Sequence, residues 1–154
     1  MAATYTAESL SARQFCRMVE FDPDTGDATF VTLNPAASED CLALADNGGP
    51  RRYFFGIMDT VGTGGITSAT VYACTAAAGT GATEVDSITP TTCDAVGDHV
   101  FIEVNVEQIH EVLATATHVG LKIDLVTSTD ELAVVVIGTD GLNKYAGLTS
   151  DYIS

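Results

Sequence analysis

In several segments of this chain apolar and polar residues alternate with the period of two that a half-buried strand requires. Residues 14–21, QFCRMVEF, place Phe15, Val19 and Phe21 on one side, and 28–33, ATFVTL, reads as the returning strand of a hairpin. Between them Asp22, Pro23, Asp24, Thr25, Gly26 and Asp27 are turn chemistry, since proline fixes φ and glycine accepts a positive φ. Further strands are predicted over 52–59 (RYFFGIMD), 66–75 (ITSATVYACT), 99–106 (HVFIEVNV) and 117–126 (THVGLKIDLV). In 99–106, Val100, Ile102, Val104 and Val106 oppose His99, Glu103 and Asn105. The run LAVVVIG over 132–138 is apolar on both faces, which predicts a central strand, joined to its predecessor by the turn Thr127-Ser128-Thr129-Asp130. Only 106–113, VEQIHEVL, has helical spacing, through Val106, Ile109 and Leu113.

Short strands divided by Gly, Asp and Pro clusters describe an all-β sandwich or barrel. Residues 34–50, with Asn34-Pro35 at one end and Asn47-Gly48-Gly49-Pro50 at the other, read as a linker, and 76–98 as a long loop of small residues. The expected organisation is an N-terminal arm or hairpin with linker over 1–50 and a β-sandwich core with a C-terminal tail over 51–154.

Charge then narrows the partners. The chain has 21 acidic against 6 basic residues, a net charge of -15, so a nucleic-acid backbone or an anionic membrane would repel it. A protein partner with a complementary basic or apolar patch remains. The first residues lack the basic and then apolar pattern of a secretory leader, which predicts synthesis in a cytoplasm. Cys16, Cys41, Cys74 and Cys93 form no CxxC pair and are expected to be small buried hydrophobes.

Three constellations invite a chemical reading. Asp22, Asp24 and Asp27 are spaced like the start of a calcium loop, yet the twelfth position, where a bidentate Glu is needed, is Leu33. Glu107 and His110 share a helical face, but a di-iron carboxylate site needs two such motifs on long helices. Gly62-Thr63-Gly64-Gly65 follows neither phosphate-binding order and reads as a turn between strands. His99, His110 and His118 lack metal-ligand spacing. With no legible nucleophile, base and orienting group, the chain is expected to bind and not to catalyse, without cofactor or metal.

From about Tyr53 to Tyr145 the chain resembles the decoration, or cement, proteins of tailed-bacteriophage heads. The likeness lies in the opening strand RYFFGIMD, the Thr/Ala-rich middle, and the ending HVFIEVNVEQIHEVLATATHVGLKIDLVTSTDELAVVVIGTDGLNKYAG. Strand, short helical turn, two long strands and the tail Lys144-Tyr145-Ala146 follow one another there, with lysine where such proteins more often have arginine. The resemblance implies a jelly-roll β-sandwich, bound as a homo-oligomer, dimer or trimer, to the major capsid protein on the capsid exterior of the virion. Arginine and aromatic residues dominate interface energetics, so the arm residues Phe15, Arg17 and Phe21 and the segment Arg51, Arg52, Tyr53 and Phe54 are the expected partner contacts. The face of Glu107, Gln108 and Glu111 is a further candidate. A receptor- or carbohydrate-binding appendage is the rival expectation, with 76–98 as its binding loop, although that loop lacks Trp, Tyr and Phe for stacking on sugars. A small hydrolase is a third.

Overall fold

In the computed structural model, residues 15–21, 29–45, 49–61, 65–90, 95–126 and 131–139 are described. The turns at 22–27 and 127–130, Gly62 to Gly64, Asn47-Gly48, Cys93 and the tail Lys144 to Ala146 lie outside them. Nine strands and one short helix are assigned among the described residues: β1 (Phe15–Phe21), β2 (Thr29–Phe30), β3 (Cys41–Ala43), β4 (Arg52–Val61), β5 (Ile66–Cys74), β6 (Thr83–Ile88), β7 (His99–Asn105), α1 (Val106–Val112), β8 (His118–Leu125) and β9 (Glu131–Thr139).

The strands form two antiparallel sheets. The first has the order β1-β9-β4-β7; the second has β2-β8-β5-β6, with β3 also paired to β8. Pairing is nested: β1 joins β9, β2 and β3 join β8, β4 joins β7, and β5 joins β6. Adding β4 to β9 and β5 to β8 closes each sheet. A doubled hairpin rolled in this way is a jelly roll.

The core lies between the sheets. Each contributes the inward half of its alternation: Tyr53, Phe55, Ile57, Val134 and Val136 from the first, Val71, Val119, Leu121 and Ile123 from the second, all essentially inaccessible. Val19, Phe21, Val31, Leu33 and Leu42 join the same cluster. The helix closes one end with Ile109 buried. Asn105 caps it: its Oδ1 accepts the Gln108 N–H at 2.7 Å, and Gln108 Oε1 accepts the Asn105 N–H at 2.9 Å, which satisfies two amides that the first turn leaves unpaired.

Four sequence expectations change. The segment 28–33 does not return beside 14–21, because β1 and β2 lie in different sheets. Burying both apolar faces of the sandwich is worth more than one local hairpin, so the chain crosses over. For the same reason 117–126 and 132–138 are not a hairpin: β8 belongs to the second sheet and β9 to the first. The stretch 34–50 carries β3, which sends Leu42 into the core and buries Cys41 on the outer side of the second sheet. Within 76–98 a strand, β6, pairs with β5; its alternation is weak because it is a sheet edge exposed along much of its length.

Two substitutions calibrate this packing in denaturant unfolding. Leu121→Ala, at a fully buried position, should cost about 2–5 kcal/mol. Asn105→Ala should cost about 1 kcal/mol by leaving the helix uncapped. Equal small losses would contradict the burial assigned to Leu121.

Candidate interaction face

Strand β9 is the residue-level origin of the surface that stands out. It lies between β1 and β4, so its inward side, Leu132, Val134 and Val136, fills the core. Its outward side is Ala133, Val135 and Ile137, equally apolar but facing away from the sandwich. Register extends that side across all four strands in three rows. Met18, Val135, Gly56 and Phe101 form the middle row. Cys16, Ile137, Phe54 and Glu103 lie on one side of it, and Glu20, Ala133, Met58 and His99 on the other.

Charge is confined to two diagonally opposite corners of this grid, Glu20 and Glu103. Inside them Met18 is 74% exposed, Phe101 50% and Met58 43%. A groove of about 420 Å³ runs through the middle, lined by Met18, Gly56, Met58, His99, Phe101 and Val135 among others. Gly56 shapes it. A Cβ there would sit 2.8 Å from Val135 Cγ1 and 3.0 Å from Phe101 Cε1, so only glycine lets the Phe101 ring lie across the strand. Phe101 also stacks on Phe54 at 5.2 Å between centroids and meets the His99 ring edgewise at 5.2 Å.

The outer side of the second sheet is closed differently. Lys122 Nζ lies 4.6 Å from the Phe30 ring centre and 5.1 Å from that of Tyr72, and the two rings meet edge to face. Phe30 covers Gly79 and Gly120; at Gly79, with φ at +71°, an added Cβ would collide with the ring. Cys41 and Cys74 are buried here, while Cys16 is exposed on β1. The hydrogen bond to Cys74, followed by burial, pushes the Cys41 thiol well up. That same bond holds Cys74 below its ordinary value, against desolvation and with help from Lys122.

The residues expected as partner contacts divide. Arg52 and Phe54 face outward, with Arg52 Nη1 3.4 Å from Glu103 Oε1 and both side chains more than half exposed. Arg51, just before β4, is exposed, and its carbonyl accepts the Val106 N–H. Tyr53 and Phe21 face the core. Arg17 shares the inward parity of Val19 and Phe21, and its Nη1 donates to the Leu33 carbonyl at 2.8 Å, which ties β1 to the segment after β2. Phe15 begins β1 opposite Gly138. Glu107 and His110 line a separate hollow of about 410 Å³ with Arg51, beside the helix. Glu107, Gln108 and Glu111 are exposed on α1.

Sequence reading missed Met18, Met58, Phe101 and Val135 as a group. Their signal was present: LAVVVIG and YFFGIM are apolar at consecutive positions, while a strand in an antiparallel sandwich needs only one apolar side.

Among the described residues, no group of three or more His, Cys, Asp or Glu side chains is placed to hold a metal ion. No described helix is long and apolar enough to cross a membrane.

No protein-family model matches this chain, and no curated protein matches it. Solved structures similar to it include a chain of the sacbrood virus of honeybee in expansion state II, 10% identical over 97% of this chain and 93% of that one, with a TM-score of 0.38. A chain of the Triatoma virus empty capsid is 7% identical over 88% and 91%, with a TM-score of 0.36. A chain described by the words "CBM4 structure and function" is 10% identical over 81% and 84%, with a TM-score of 0.35. The jelly roll rests on the strand order of this chain and not on these likenesses.

Thiol titration checks the site assignments. In a Cys93→Ser background, a thiol reagent at about pH 8 should modify Cys16 in the native protein, and Cys41 and Cys74 only after denaturation. Rapid native labelling of either buried thiol would contradict their placement.

Proposed function

We propose that this protein is a structural component of a tailed-phage virion, which binds the outside of the capsid and stabilises the shell by bridging its subunits. One observation carries the reading. A jelly roll with a net charge of -15 keeps the middle of one sheet face apolar, with Glu20, Glu103, Arg52 and Glu131 only around its margin, a combination suited to adhesion. The acidic remainder keeps the unbound protein dispersed and away from packaged nucleic acid. Bridging several subunits multiplies modest contacts through avidity, so the interface on each need not be large. The resemblance of 53–145 to cement proteins supports the same reading. In it the protein does no chemistry, requires no cofactor, works as a dimer or trimer, and has the major capsid protein as its partner.

A second reading is favoured by the Phe54, Phe101 and His99 rings on one sheet face. An exposed aromatic surface can stack on a sugar ring, as in a receptor- or carbohydrate-binding appendage.

Capsids purified without the protein separate the two. Added protein should co-sediment with them and raise the temperature at which they disrupt. Absence of both effects, together with glycan binding that Phe101→Ala abolishes, would replace the capsid reading with the glycan one.

A further inference from the structure

We infer that the outer face of the first sheet docks an extended apolar segment of a partner protein, flanked at both ends by basic residues. The inference deepens the capsid reading by naming the surface and the chemistry it takes, and it rests on that reading for the partner's identity alone.

Area decides first between a second copy and a segment. Four strands about 4.8 Å apart and three rows about 6.8 Å apart give a footprint of roughly 400 Å². A stable interface takes about 800 Å² from each partner, so two copies meeting over these apolar rows alone would fall well short. They would also bring together two chains each carrying -15. A single strand-like segment needs no more than the groove along the Met18, Val135, Gly56 and Phe101 row.

Charge decides next. Glu20 and Glu103 stand at opposite corners, so a segment crossing the face on the diagonal ends near a carboxylate at either side. Three strand spacings by two row spacings make that diagonal about 20 Å, the length of ~6 extended residues. Basic residues on both sides of an apolar run of that length would meet both glutamates, although Arg52 already engages Glu103 in part. Met18 and Met58, unbranched and polarisable, suit a surface that adapts to alternating aliphatic side chains.

The test uses a defined probe: a labelled peptide of six alternating Val and Leu residues with two lysines at each end. Its comparators carry glutamates at the ends, or six serines in the middle. The lysine-flanked apolar peptide should bind at least tenfold more tightly than either. Phe101→Asp and Met18→Glu should each weaken it at least tenfold, and Glu20→Gln with Glu103→Gln should flatten its salt dependence between about 50 and about 500 mM. Met18 is so exposed that its variant should melt like the parent, which guards against a folding artefact in Phe101→Asp. Ser87→Asp on exposed β6 should change nothing.

Equal binding of all three peptides, or of both face variants and parent, would overturn the inference. A parent dimer in sedimentation velocity that Met18→Glu dissolves would also overturn it, by making a second copy the occupant. Capsids that bind parent and Met18→Glu equally would sink this surface and leave the capsid reading standing. Capsids that bind neither, with face-dependent peptide binding intact, would sink the capsid reading and leave the surface standing.

Discussion

A strand that is apolar on both sides must be covered on both sides or leave one apolar side in water. Strand β9 meets that constraint halfway. Hydrogen-bonded to β1 on one edge and β4 on the other, it buries Leu132, Val134 and Val136 and turns Ala133, Val135 and Ile137 outward. Everything distinctive about the molecule's surface follows from that placement and from the register that aligns Met18, Gly56 and Phe101 with Val135. A slip of one residue would exchange core and surface along the whole strand, so the buried side holds the outward side in place.

Two opposite tendencies are kept apart by the sandwich. Net charge favours dispersal; exposed Met18, Met58 and Phe101 favour association. The second sheet resolves its outer side internally, with Phe30 over Gly79 and Gly120 and Lys122 against Phe30 and Tyr72. In the first sheet Phe101 lies over Gly56, stacks on Phe54 and shields part of the face, yet the Met18 side stays open. Met18, Met58 and Phe101 thereby share one sheet face of an acidic chain.

Much of the architecture was legible because burial writes a period of two into the sequence. Val100, Ile102 and Val104, and likewise Val119, Leu121, Ile123 and Leu125, are buried as their alternation requires, and Ile109 anchors the helix its spacing predicted. Pairing was less legible, since neighbouring strands such as β8 and β9 alternate identically whether they join each other or distant partners in separate sheets. Parity placed Tyr53 with Phe55 and Ile57, and Arg17 with Val19 and Phe21; reading arginines and aromatics by type alone overlooked it. The apolar face was hidden for a related reason: a doubly apolar strand signals a central position equally well whether its second side is covered or open.

Solvent access to that face is the most direct measure of the account. Of the three methionines, Met18 and Met58 sit on it. With methionine methyls labelled and a soluble paramagnetic agent added, NMR should show both signals broadened strongly, Met18 more than Met58. Protection of both methyls in the monomeric protein would contradict the open apolar face and the reading built on it.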